Sequence, residues 1–257
     1  MTKPVFIYFH GSPGAEQELD LVGAAGWRYD INFYIPNRHP TTQLRGDALF
    51  DQIALDIQEA YPERPLRLIG FSLGGSFALQ MAYRLGEQVE RVDLIAPAAP
   101  LELGDFLPHM IGKPVFKLAK KSPFLLSAQV KVQSLLVRYA PNTLYNIVFS
   151  SAVGGDIPLA KNEGFKAVII GILKTTVTTG SKAYVRELCT YVQPWAHILE
   201  HIKTPTTLWH GTDDNWAPLS MSEALQKALP EGAQLNKMLG LSHYSALIEA
   251  LPKIVKA

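Results

Sequence analysis

The chain reads as an α/β protein, with a mostly parallel sheet of about six strands, helices on both faces and a long helical insertion. Three observations predict this. Short runs of β-branched, aromatic and other apolar residues alternate with stretches of helical spacing, the alternation that builds a parallel sheet through crossover helices. Glycine-containing turns follow the apolar runs directly, as in His10-Gly11-Ser12-Pro13-Gly14 and His210-Gly211. Between roughly Leu101 and Pro194, more than 90 residues stand where a short connection would serve, and many are apolar at helical spacing.

The elements follow in order. Val5-Phe6-Ile7-Tyr8-Phe9 is an unbroken apolar run and reads as a strand over 5–9. A strand over 31–35 and a helix over about 45–60 precede Leu66, Leu68 and Ile69, which mark a strand at 66–70. Phe77, Ala78, Leu79, Met81, Ala82 and Leu85 keep helical spacing over 73–85, and a strand at 91–96 leads into the middle segment. There, Val130-Val132-Leu135-Leu136-Tyr139 and Phe165-Val168-Ile169-Ile172 are helical in spacing. Thr206-Thr207-Leu208 opens a strand at 206–210, a helix follows at 219–229, and the alternation of Ala233, Leu235, Met238 and Leu239 marks an edge strand at 234–239. Leu247, Ile248, Leu251, Ile254 and Val255 give an amphipathic closing helix over 243–256, with Pro252 a local irregularity.

The chemistry begins at Gly70-Phe71-Ser72-Leu73-Gly74-Gly75, a G-x-S-x-G motif joining a strand to a helix. Glycines on both flanks keep side chains out of a turn too tight for them, so the Ser72 hydroxyl is presented on a strained backbone. Alone, the motif also fits a glycine-rich helix start packed on a sheet. His243, after Gly240-Leu241-Ser242, lies in a loop behind the last strand, although a lone loop histidine is more commonly a solvated imidazole. Between them, Gly211-Thr212-Asp213-Asp214-Asn215-Trp216-Ala217-Pro218 supplies two adjacent acids. A serine hydroxyl is a poor nucleophile until a base takes its proton. A neutral imidazole can do so near neutral pH, and a carboxylate on its other nitrogen fixes the tautomer.

Over most of the chain outside the middle third, these residues resemble the α/β-hydrolase superfamily, which has its nucleophile, acid and histidine in this chain order. The resemblance implies Ser72 as nucleophile and His243 as base. The family's acid loop, G-x-x-D-x-x-[VA]-P, matches Gly211, Asp214, Ala217 and Pro218, which favours Asp214 over Asp213. His10-Gly11-Ser12-Pro13-Gly14 is similar to the family's H-G-x-P oxyanion loop, implying that the backbone N–H groups of Ser12 and Leu73 hold the developing oxyanion. His10 and His210 read as turn anchors. Because the first strand already carries the oxyanion loop, the two antiparallel strands with which many members begin look absent. By the same resemblance, residues 1–100 and 195–257 form the core and 101–194 a helical cap, inserted where the family carries its lid. The loop Pro36-Asn37-Arg38-His39-Pro40 departs from the acidic, glycine-rich loop of many relatives. It reads as solvated, with Arg38 and His39 facing substrate as the other reading.

The implied function is a carboxylesterase-like serine hydrolase, cleaving a small or medium, partly apolar ester or related acyl substrate through an acyl-enzyme, without a cofactor. Proline iminopeptidases have a similar oxyanion loop, H-G-G-P-G, but a different nucleophile motif, and an aminopeptidase stays open beside thioesterase, lactonase, carbon–carbon hydrolase and perhydrolase. A non-catalytic receptor on the same fold is the alternative from another class. Ser72 at the nucleophile position argues against the Asp-nucleophile dehalogenases and epoxide hydrolases.

Composition bounds the partners. At 257 residues and 47% hydrophobic the chain has the make-up of a globular domain, and a net charge of +1 gives no indication of nucleic acid. Residues 101–200 hold 11 Lys and Arg against 6 Asp and Glu, so this stretch is +5 and the remainder −4. The plain reading is a solvated basic outer face, the other an attraction for an anionic substrate or membrane surface. Cys189, the single cysteine, excludes an intrachain disulfide, fits a reducing compartment and reads as a small buried hydrophobe. Met1-Thr2-Lys3-Pro4 leads straight into the first strand, so no signal peptide and a cytoplasmic location are expected. No apolar run approaches the ~20 residues of a spanning helix. His109 and His197 stand alone, so no metal site is expected.

Overall fold

The structure, a computed structural model, describes residues 4–23, 27, 31–38, 43–230 and 232–256. In chain order come β1 (Val5–Phe9), β2 (Phe33–Tyr34), α1 (Asp47–Ala60), β3 (Leu66–Phe71), α2 (Gly74–Leu85) and β4 (Val89–Ile95). The middle segment then forms α3 (Lys113–Lys121), α4 (Pro123–Tyr139), α5 (Pro141–Phe149), α6 (Asp156–Ala160), α7 (Glu163–Val177) and α8 (Ser181–Tyr191). β5 (Thr206–Gly211), α9 (Leu219–Ala228), β6 (Gln234–Met238) and α10 (His243–Lys256) complete the chain.

The six strands form one sheet in the order β2-β1-β3-β4-β5-β6, and every pairing is parallel. That order dictates where the helices lie. The steps β3 to β4, β4 to β5 and β5 to β6 all advance in one direction, as does the step from β2 over β1 to β3. Right-handed crossovers therefore place α1, α2, the 3₁₀ turn Ala196–His201 and α9 on one face. They pack in that sequence, α1 on α2, α2 on the turn and the turn on α9. The step from β1 to β2 runs the other way, and α10 closes the second face against β4 and β5. With both faces covered, Val5, Ile7, Leu66, Leu68, Val92, Leu94 and Leu208 are wholly buried, which explains why these strands read as apolar runs.

One element differs clearly from the sequence expectation: β2 is two residues long rather than five, and the strand stops short of Pro36, which has no N–H to give a ladder. α10 runs over the expected 243–256, with Pro252 inside it. In the middle segment the helix starts explain the segmentation. Ser122 caps α4, its hydroxyl accepting from the Leu125 N–H (3.3 Å), Asn162 caps α7 by accepting from the Phe165 N–H (2.9 Å), and Pro123 and Pro141 occupy first turns, where a missing N–H costs nothing. Among the described residues no helix is long and apolar enough to cross a membrane.

Candidate active site

The parallel registers bring the loops after β1 and β3 side by side, since Phe9 pairs with Gly70, and the loops after β5 and β6 likewise, since Gly211 pairs with Met238. Ser72 follows β3 in the left-handed region, at φ 54°, where a residue with a Cβ is strained by roughly 1–3 kcal/mol. Backbone bonds hold it there. Its N–H donates to Ile95 O at 3.0 Å, and its carbonyl accepts from Gly75 N (3.0 Å) and Ala98 N (3.1 Å). The flanking glycines are sterically required: a Cβ on Gly74 would lie 2.0 Å from Phe9 O, and one on Gly70 2.7 Å from Gly74 O.

Asp214 and His243 meet. His243 Nδ1 lies 2.7 Å from Asp214 Oδ2, which fixes the proton on Nδ1 and leaves Nε2 as the basic nitrogen. The other carboxylate oxygen accepts from Trp216 N (2.8 Å) and Ala217 N (3.0 Å), so the acid is buried and fully engaged. Asp213, by contrast, is exposed and accepts from Thr212 Oγ1 at 2.9 Å. His210 braces the acid loop, with Nε2 donating to Ala217 O (2.8 Å) and Nδ1 on Ser222 Oγ (2.6 Å). Burial favours the neutral His243 ring. Attraction to Asp214, their hydrogen bond and the charges of Asp156 and Glu18 outweigh it and hold the pKa above the ordinary histidine value. Burial dominates at His210 and lowers its pKa. The His243 ring lies between Trp216 (centroids 5.7 Å, stacked) and Phe71 (4.7 Å), the neighbour of Ser72.

The His10–Gly14 loop lies against the elbow, close enough that a Cβ on Gly11 would be 3.3 Å from the Ser72 Cβ. Among the described residues neither the Ser12 nor the Leu73 N–H has a hydrogen-bond partner within the protein, so both donors are available to a ligand. Beneath this loop is Glu18, wholly buried in the 3₁₀ turn Glu16–Leu21. Its carboxylate accepts from the Gly11 N–H (3.1 Å to each oxygen) and from Tyr8 OH (2.8 Å). Burial pushes its pKa up to about 7, although those two donors and the charges of Arg38 and His243 oppose the shift.

Arg38 overturns the solvated reading of its loop. It is buried, with Nη2 donating to Gly11 O (3.0 Å) beside the His10 ring, Nε 3.4 Å from Glu187 Oε1, and its guanidinium 4.5 Å from the Phe77 ring centroid. A charge with this many partners is more stable inside than a loop reading suggests. His39 lies outside the described residues. Glu187 of α8 also accepts from Ser12 Oγ at 3.1 Å. A second acid of the middle segment, Asp156, accepts from Tyr244 N (3.1 Å) and Ser245 N (2.7 Å), capping α10 immediately after His243. Glu18, Asp156, Glu187 and Trp216 escaped sequence reasoning. Only the Gly154-Gly155 pair before Asp156 carried a signal of close docking, and a Cβ on Gly154 would lie 2.7 Å from Gly240 O. Cys189 is half-buried rather than buried.

A cavity of about 1840 Å³ runs between α1 and α2 on one side and α3, α4 and α8 on the other. Its lining reaches Ser76 and Phe77, one turn along α2 from Ser72, but does not include Ser72, Asp214 or His243.

The sheet order, the elbow after β3 and the histidine after β6 define an α/β-hydrolase architecture. A family profile described as the α/β-hydrolase fold matches residues 4–250, and the chain belongs to that family. Similar solved structures include MGS-M2, an α/β-hydrolase enzyme from a Medee basin deep-sea metagenome library (17% identity, TM-score 0.68, 99% of this chain and 86% of that one). The esterase EaEST from Exiguobacterium antarcticum is 14% identical (TM-score 0.65, 100% and 93% covered). The enol-lactonase from Burkholderia xenovorans LB400 is 16% identical (TM-score 0.65, 100% and 90% covered). At these identities the likeness is one of fold. No curated protein matches the chain by sequence.

Proposed function

We propose that the protein is a serine hydrolase acting on a small or medium, partly apolar ester or related acyl compound. The observation that carries this reading is the 2.7 Å contact of His243 Nδ1 with a buried, fully hydrogen-bonded Asp214, the histidine ring lying 4.7 Å from that of Phe71, whose neighbour Ser72 is held at positive φ. Ser72 Oγ attacks the acyl carbon while His243 Nε2 takes its proton. The carbonyl electrons collect on an oxyanion received by the Ser12 and Leu73 N–H groups, each such donor being worth about 3–4 kcal/mol. The tetrahedral adduct collapses, the bond to the leaving group breaks, and the imidazolium returns the proton to the departing oxygen. Water then repeats the sequence on the acyl-enzyme, and the carboxylic acid leaves.

Residues 101–194 act in this reading as the cap, which excludes water and selects the acyl group. Contacts of Glu187 and Asp156 with Ser12 and α10 support such a role, as they tie the segment to both ends of the site. A fluorophosphonate probe tests the reading: a stoichiometric phosphonyl adduct on Ser72, absent from Ser72→Ala, is expected. An unlabelled wild-type protein with an intact fold would favour the receptor alternative. A panel of p-nitrophenyl esters, lactones, thioesters and aminoacyl amides then ranks the bond types.

A further inference from the structure

α4 is apolar on two opposite faces. Leu126, Val130 and Val137 are buried against the rest of the segment. Phe124, Leu125, Ala128, Val132, Leu135 and Tyr139 are exposed, Phe124 at 79% and Tyr139 at 76%. At 100° per residue these six fall within one arc of about 100°, so they form a continuous stripe along the helix. An apolar stripe on a helix calls for an apolar neighbour, and this second stripe has no protein cover among the described residues.

Cations border the stripe. Lys131 and Arg138 run along one edge, and Lys117, Lys120 and Lys121 stand in the last two turns of α3, one residue before α4 begins. All five are exposed, and no ion pair among the described residues involves them. From Phe106 to Gly155 the chain contains six Lys and Arg and no Asp or Glu at all. Charge decides the occupant. A second copy meeting this patch about a two-fold axis would set the same basic border against itself, with no acid to pair it. A bilayer bearing acidic headgroups offers an apolar interior for the stripe and anions for its border.

We propose that the outer face of α4, with the end of α3, docks the protein on an acidic lipid surface. Docking places the membrane beside the 1840 Å³ cavity, because Lys120, Phe124, Lys131 and Leu135 line both. The inference concerns binding and stands whether or not Ser72 is the nucleophile.

Sedimentation with vesicles tests it, using the full chain, phosphatidylcholine alone, and phosphatidylcholine mixed with phosphatidylglycerol. Binding to the mixed vesicles is expected, with little to the neutral ones and a steep fall as salt rises. Val132→Asp with Tyr139→Asp should abolish it. Arg138→Glu with Lys117→Glu should weaken it by about tenfold or more, each cation near an acidic surface being worth roughly fivefold. None of these four residues lines the cavity, so fluorophosphonate labelling and the melting transition should stay at wild-type values. No sedimentation with the mixed vesicles overturns the proposal, as does equal sedimentation with both kinds. So does a dimer, by light scattering, that Val132→Asp with Tyr139→Asp converts to monomer.

Discussion

The carboxyl edge of the sheet and the helices between β4 and β5 bring opposite kinds of group to the site. In the proposed chemistry the edge supplies the reacting atoms, Ser72 and Asp214 on short loops between a strand and a helix and His243 as the first residue of α10. The helical segment supplies no reacting atom in the proposed chemistry. Its two acids reach in to hold backbone N–H groups and a loop hydroxyl, Asp156 at the start of α10 and Glu187 at Ser12. The division follows from what each task tolerates. Attack and proton transfer require placement that only strand ends give, whereas an acceptor for a backbone donor can come from any segment that passes.

Changes at the sheet edge should therefore be large and catalytic. Ser72→Ala, the greatest of them, should lower turnover by several orders of magnitude and leave the melting temperature close to that of the wild type, since it removes one hydroxyl and keeps the Cβ and the backbone conformation. Steady-state kinetics with an ester found in the panel, beside calorimetry, would read both. Activity within tenfold of wild type would move the nucleophile elsewhere.

Next comes Asp214→Asn, with a loss on the order of 10⁴-fold, set against a mild Asp213→Asn. The pH profile sharpens this pair. Asp214 is the principal cause that raises the pKa of His243 against burial, and the base must be neutral to act. The rising limb of kcat/KM should therefore move to lower pH in Asp214→Asn and stay in place in Asp213→Asn. A limb that moves upward in the Asn variant would break the assignment of roles.

Much of the edge was legible in the sequence, because its signals are steric. Gly70 and Gly74 are needed where a Cβ would strike the backbone, and Ser72 sits between them. The strands read as apolar runs because both faces of the sheet are covered. What stayed hidden was long-range and polar. Nothing in the neighbourhood of Glu18 distinguishes it from Glu16, yet one is wholly buried under the His10–Gly14 loop and the other lies outside the core. Arg38 looked solvated because its partners Glu187 and Gly11 are distant in sequence, and burial of a charge depends on partners rather than on local pattern.

On the helical segment the effects should be smaller and act on stability and positioning. Asp156→Ala orphans two buried N–H groups at the first turn of α10, at a cost of roughly 2–4 kcal/mol. Because that turn carries His243, kcat should fall with KM little changed. Asp156→Asn keeps an acceptor and should recover most of both. Urea unfolding and kinetics on the two variants check this, and equal losses in Asn and Ala would make the carboxylate's charge, rather than its acceptor capacity, the relevant property.

The smallest effect is expected at Glu18, where the edge itself uses a supporting acid. Its pKa goes from 4.5 to about 7 on burial, so the folded protein holds this proton more tightly than the unfolded chain does. The sign follows from linkage: across that window the native state binds more protons, so stability decreases as pH rises, and the dependence ends above about 7. The groups facing Glu18, namely Tyr8, Arg38, His243 and Tyr244, include one that titrates nearby, and His243 must be accounted for. Glu18→Gln removes the carboxyl titration and takes from His243 only the smallest of the contributions that raise its pKa. The stability of wild type relative to this variant should therefore fall, on the order of 3 kcal/mol or less, between about pH 5 and about pH 8. Urea unfolding of both proteins at the two ends measures the difference. A constant difference would mean that Glu18 keeps one protonation state throughout. It would then act on the Gly11 N–H as a permanent acceptor, and the His10–Gly14 loop would be insensitive to pH in this range.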